Sequence, residues 1–265
     1  MIQYNRKKDE QMFERYCRQI SMAEIGMEGQ QKLLSARVLL VGAGGLGSVA
    51  GFYLAAAGIG TIGIVDDDTV ELSNLQRQIA HCTSDIDRMK VDSAAEKLSA
   101  LNPNVTIRSY RERFVAVTAS RLLKEYDFVI DATDNLPSKF LIADACHFAR
   151  KPYSHAGILR FFGQTITVLP GETCCYRCIF NSVPSKADPE SCAPEGPLGV
   201  LPGVIGSIQA TEAIKYFLGC GNLLTDRLLT YDALAMNFRV IAARKNENCP
   251  LCGTAPTIHK PGNTK

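Results

Sequence analysis

The feature that most restricts the fold is the run Gly42-Ala43-Gly44-Gly45-Leu46-Gly47. It fits GxGxxG, directly follows the apolar stretch 37–42 (RVLLVG), and opens a helical pattern over 46–57 that Gly58 ends. Strand, glycine turn and helix in that order are the first half of a βαβ unit. Glycines let the backbone approach phosphates closely, and a helix N-terminus favours their negative charge. A second apolar strand, 61–66 (TIGIVD), ends in Asp66, 19 residues beyond Gly47. A carboxylate there can accept hydrogen bonds from ribose hydroxyls. The turn alone is also compatible with a ligand-free corner, and up to Asp66 an NAD-dependent oxidoreductase would show the same features.

The stretch 38–65 contains no charged residue and is long enough to span a bilayer, but it holds eight glycines and internal turn signals. Two strands around a buried helix explain it better than a membrane span. The alternation continues with a helix at 90–101, a strand at 105–110, a helix at 119–126, a strand at 127–131 (DFVID), a helix at 138–150 and a short strand at 153–157. It calls for an α/β fold with a Rossmann-like, doubly wound, mostly parallel sheet. Beyond it the pattern changes. Residues 163–169 alternate as an exposed antiparallel strand would, and 204–218 reads as a helix. Residues 227–231 and 238–243 read as two closing strands. Between the strand at 163–169 and the helix at 204–218, residues 181–202 are rich in Pro, Ser, Glu and Gly and read as a long functional or mobile loop. The expectation is one continuous domain over 1–265, with an N-terminal helical segment (1–36), a nucleotide-binding part (37–160) and an antiparallel part (161–265).

The net charge of +2 comes with no Lys/Arg-rich run, which argues against nucleic acid as a partner. The polar N-terminus, MIQYNRKKDEQMFERY, lacks the apolar core of a secretory signal. Four of the ten cysteines form two CxxC pairs, Cys175/Cys178 and Cys249/Cys252, with 71 positions from the first pair to the second. Without an export signal, this spacing suits a metal better than a disulfide framework, and a reducing, cytoplasmic setting follows. Four thiolates match tetrahedral Zn²⁺ and leave no position for a catalytic water, so the zinc site is expected to be structural. Reduced buried cysteines and a redox pair are the other readings.

After Asp66 come DDDTVELSNLQRQ, Lys90 and DATDN at 131–135. Arg77 and Lys90 are two cations near the mouth of the sheet. Asp134 lies just past the C-terminal end of a strand, where open α/β sheets bind ligands. Cations with a carboxylate able to hold Mg²⁺ suit phosphoryl chemistry, whereas hydride transfer needs neither. Singly, the cations could be surface charges and Asp134 a helix N-cap.

With these segments the chain resembles the MoeB/ThiF/HesA family of sulfur-carrier adenylyltransferases, relatives of the ubiquitin-activating enzymes. The resemblance runs from about Phe13 to Gly253. It is carried by RYCRQI (15–20), VGAGGLGS, DDDTVELSNLQRQ, DATDN, CYRC (175–178), GVIGSIQATEAIK (203–215) and CPLCG. It implies that Gly42, Gly44, Gly45, Gly47 and Asp66 hold ATP, with Asp66 on the ribose and Asn74 as a further nucleotide contact. It implies phosphate contacts for Arg77 and Lys90, Mg²⁺ at Asp134, and an Arg18 that reaches the neighbouring subunit's site in a homodimer. The implied reaction is adenylation of the terminal glycine carboxylate of a ubiquitin-like carrier ending in Gly-Gly. A separate protein would donate the sulfur, since no rhodanese-like extension follows Gly253. Thiamine and molybdenum-cofactor members share all these motifs. Cys192, in the 181–202 loop, stands where some members link covalently to the carrier, but its flanking Glu190 and Glu195 disfavour the thiolate. Cys17 and Cys174 depart from the family's pattern without touching the positions above. A scaffold that binds the carrier without chemistry is the remaining alternative.

Overall fold

The computed structural model describes residues 14–180 and 196–262, so the expected features at 1–13, at 181–195 (Cys192 among them) and at 263–265 lie outside the described residues. The chain builds one eight-stranded sheet in the order β3-β2-β1-β4-β5-β6-β7-β8. Strands β1 (Arg37–Val41), β2 (Thr61–Val65), β3 (Thr106–Tyr110), β4 (Phe128–Asp131) and β5 (Tyr153–Leu159) run parallel. Strands β6 (Phe162–Val168), β7 (Arg227–Asp232) and β8 (Asn237–Ala242) extend the same sheet antiparallel.

Both faces of the parallel part are covered, which is why its strands read as apolar runs rather than alternating ones. Alternate residues of β1 point to opposite cores. Val38 and Leu40 pack with α3 (Gly45–Ala57) and α8 (Leu201–Leu218), whereas Leu39 and Val41 pack with α5 (Ala116–Leu122) and α6 (Leu136–Ala149). Helix α4 (Lys90–Leu101) joins the first core through Val91, Ala94 and Leu98. Helix α1 (14–20) and α2 (Gly26–Ser35) precede the sheet. In α1, Gln19 Nε2 donates to the Ala57 carbonyl at 3.1 Å, and Tyr16 Oη accepts from Asn102 at 2.8 Å. The N-terminal helices therefore lie against the C-terminal end of α3. No helix among the described residues is long and apolar enough to cross a membrane.

Three expectations need correction. The helix placed at 119–126 is α5, three residues earlier. The chain leaves it at Leu123 because Tyr126 is drawn into the sheet, where it covers the bare Gly63 and its hydroxyl meets that of Tyr110 at 2.9 Å. Strand β6 is antiparallel as expected but not exposed. It lies between β5 and β7 with Gly163 under Ile205 of α8, and Thr165 to Val168 are buried. The 181–202 loop is shorter at its end, because α8 begins at Leu201 with Pro202 in its first turn, where a missing N–H is no loss.

Candidate functional site

The C-terminal ends of the parallel strands frame a polar cleft lined by Gly42, Gly44, Asp66, Lys90, Arg113 and Asp134, among others. Gly42 adopts φ +105°, and a Cβ there would stand 2.7 Å from the Ala132 carbonyl oxygen. Only glycine meets both conditions, so the first loop can pass close to the one after β4. Gly47 has a different task. A Cβ on it would fall 2.0 Å from the Gly42 carbonyl oxygen, so its bareness lets α3 start tightly against the turn. Gly45 faces Pro202 of α8. Gly42 and Gly44 therefore line the cleft, and Gly45 and Gly47 pack the turn that shapes it.

Asp66 is half-buried at the end of β2. Its Oδ2 accepts from the Ala43 N–H at 2.7 Å and its Oδ1 from the Asp68 N–H at 2.9 Å. Burial raises its pKa, opposed by those two N–H groups and by Lys90. Each oxygen keeps a lone pair for a ligand hydroxyl. The Ala43 peptide is also held from its other side, because its carbonyl meets His81 Nε2 at 3.0 Å. The other ring nitrogen, Nδ1, lies 2.9 Å from the Ser93 hydroxyl. Burial lowers the His81 pKa, so the ring is neutral and donates to the carbonyl from Nε2.

Lys90 opens α4. Its ammonium is nearly buried and pairs with Asp68 at 2.7 Å. Asp134 is exposed and its carboxylate makes no hydrogen bond or ion pair among the described residues. The N-cap role belongs instead to Asn135, whose Oδ1 accepts from the Ser138 N–H at 3.0 Å, which leaves Asp134 free for a ligand.

Besides Gly45 and Gly47, three expected nucleotide-site residues do not line this cleft. Arg77 is half-buried and donates to the Ser73 carbonyl at 3.2 Å. Asn74 is buried, and its Oδ1 accepts from the Glu71 N–H at 3.2 Å, closing a 3₁₀ turn. Arg18 is exposed on α1. That helix rests on the far end of α3, whose 13 residues put Ala57 about 18 Å from the glycine turn at 1.5 Å per residue. Sequence reasoning missed Gln78, Arg113 and Phe114, which line the cleft. Arg113 follows β3, and the rule that ligands sit beyond the C-terminal ends of parallel strands was the signal for it.

Across the molecule, Cys175, Cys178, Cys249 and Cys252 gather with their sulfurs within 4.8 Å of one another. The sulfur of Cys175 lies 3.7 Å from Cys178, 3.5 Å from Cys249 and 3.3 Å from Cys252, and Cys178 and Cys252 are 3.4 Å apart. Four sulfurs on one Zn²⁺ at about 2.3 Å stand about 3.8 Å apart, so the cluster fits that ion with little movement. Cys175 caps α7 (Tyr176–Ile179) and Cys178 lies within it. Arg177 of the same turn forks onto Asp144 of α6 at 2.6 and 2.9 Å, with its guanidinium 4.6 Å from the Phe140 ring centre.

A profile of the ThiF family matches residues 16–251. Over 245 residues the chain is 46% identical to the SAMP-activating enzyme E1 of Haloferax volcanii, covering 92% of this chain and 90% of that one. Over 249 residues it is 44% identical to a sulfur carrier protein adenylyltransferase of Thermus thermophilus, covering 92% of each. Its fold is similar to that of E. coli MccB crystallised with MccA-N7isoASN. The TM-score is 0.80 at 21% identity, over 91% of this chain and 75% of that one.

Proposed function

The chain belongs to the ThiF family, and on that premise we propose that it uses ATP to adenylate the C-terminal glycine of a ubiquitin-like sulfur carrier. A carboxylate oxygen of the carrier attacks the α-phosphorus. The new O–P bond replaces the bond to pyrophosphate, and an acyl-adenylate remains for a separate protein to convert to thiocarboxylate. The observation that carries this reading is the cleft. It joins a glycine turn and a ribose-type carboxylate to Lys90, Arg113 and Asp134, a carboxylate without a partner among the described residues. Hydride transfer would leave Lys90 and Asp134 without a task. The names of the two relatives support the carrier as substrate.

Carboxylate and triphosphate repel, so the site must neutralise charge and align the two groups. Gly42, Gly44 and Asp66 hold the nucleotide, and Lys90 meets its phosphates; Arg77, outside the cleft but with its backbone beside Gly45 of the glycine turn, reaches them by leaving the Ser73 carbonyl. Mg²⁺ held by Asp134 supplies further neutralisation when bound. Arg18 completes the neutralisation from the partner of a two-fold homodimer. Its place beside the far end of α3 supports that role, since nothing there brings it to its own glycine turn. Cys175, Cys178, Cys249 and Cys252 hold a structural Zn²⁺. The carrier docks on the antiparallel edge and lays its tail beside it as an extended strand. Every residue of β8 is exposed although three are large and apolar, Phe238, Val240 and Ile241. The test is exchange of labelled pyrophosphate into ATP, expected only when a carrier ending in Gly-Gly is present. Carrier-independent reduction of NAD by a substrate would overturn the reading.

A further inference from the structure

We propose that Lys139 is a positioning residue that, with Asp131, presents the Asp134 carboxylate to the cleft; this rests on the metal-holding role given to Asp134 above. Lys139 lies in the first turn of α6 with its side chain 7% exposed. Its ammonium donates to the Thr133 carbonyl at 2.6 Å and the Ala156 carbonyl at 2.5 Å, and faces Asp131 Oδ1 at 3.5 Å. Three N–H groups meet three acceptors, so the ammonium has none left for a ligand. Asp131 closes the clamp. Its Oδ1 accepts from the Thr133 N–H at 3.1 Å and the Thr133 hydroxyl at 2.7 Å, and its Oδ2 from His155 Nδ1 at 2.8 Å. Burial pushes the Asp131 carboxyl up, but Lys139, His155 and Thr133 outweigh it and hold it at about 2.

Thr133 is thus fixed through its N–H by a carboxylate and through its C=O by an ammonium. The next residue is Asp134, whose carboxylate has no bond of its own among the described residues. A free side chain is carried on a backbone without freedom, the arrangement that presets a ligand before the metal arrives. Stability alone does not call for this pair, since an apolar pair of similar volume serves a buried site as well or better. Helix α6 does not need it either, because Asn135 caps the first turn. The Ala156 contact ties the clamp to β5, so the Asp134 loop is referenced to the sheet rather than to the surface.

The experiment measures ATP affinity by equilibrium binding with and without Mg²⁺, using the full chain. Lys139→Met should lose about tenfold or more of the tightening that Mg²⁺ produces, the usual scale for removing a group that orients a metal ligand, while metal-free ATP affinity moves less than about twofold. Lys139→Arg, which keeps charge and donors, should stay within about threefold of the parent. If Lys139→Met strands Asp131 and fails to fold, Asp131→Asn/Lys139→Met removes both charges together, still lacks the tether, and should show the same loss. Asp134→Ala is measured beside them. Should Asp134→Ala lose the Mg²⁺ effect while the folded Lys139 variants keep it, the positioning role is wrong and the metal reading stands. Should Asp134→Ala keep the effect, both fall.

Discussion

Strands β4 and β8 belong to one sheet and have opposite surroundings. All four residues of β4 are buried, between helices on both faces, and the loop at its end delivers Thr133 and Asp134 to the cleft. All six residues of β8 are exposed, yet Phe238, Val240 and Ile241 are as apolar as anything in β4. An unpaired strand edge with a large exposed apolar patch is an association hazard unless something covers it. The contrast separates two jobs. On the function proposed above, the parallel part is finished within the chain and takes the nucleotide, and the antiparallel edge is the face offered to the carrier.

If that separation holds, damage to the cleft should abolish exchange at any carrier concentration. Asp134→Ala and Arg18→Ala should each lower exchange by about 10²-fold or more as homodimers, the scale for losing one group that stabilises transition-state charge. Mixed with subunit exchange, the two should recover roughly a quarter of parental activity, because half of the randomly formed dimers then contain one whole site. No recovery, with exchange of subunits verified, would return Arg18 to its own chain and break the two-subunit account.

Damage to the edge should act differently. Ile241→Asp on β8 should raise the carrier concentration for half-maximal exchange by about tenfold, as losing one apolar anchor of roughly 1–2 kcal/mol would. ATP affinity without carrier should not change. An effect on ATP alone would show that the edge is not the docking face.

The cysteine cluster probes what holds the two parts together. Cys252→Ser should release zinc and lower the melting temperature more than it weakens ATP binding, because closing such a site contributes directly to folding. Metal content below half an equivalent in the parent, prepared without chelator, would remove the ion from the account.

The parallel part was legible because its signals are local. Apolar runs, the glycine turn and Asp66 all follow from spacing within a βαβ unit. The CxxC pairs were legible for the same reason, as two short motifs whose spacing suits a common ligand set, and the fold brings their four sulfurs together. What stayed hidden depends on contacts between distant segments. His81 meets Ala43 only through the fold, and Tyr126 leaves its helix because Gly63 lies open on β2. Asp134 and Asn135 are equally good N-cap residues on paper, and only the backbone shows that Asn135 takes the cap. The burial of β6 was missed because its alternating pattern describes a strand with one wet face, and α8 covers that face.

The fork between Arg177 and Asp144 joins the two parts in a way that amide hydrogen exchange can reveal. One end of α6 carries the Asp134 loop, and its middle grips the turn that contains Cys178. Two elements joined by a buried, bidentate pair open as one cooperative unit. Stripping the proposed zinc from the cysteines should therefore quicken exchange along α6 up to the loop at its N-terminus. The amides of α3, which lie in the other core, should keep their protection. Local unfolding that begins at the cysteine cluster would then reach the nucleotide cleft through one helix, with no movement of the sheet.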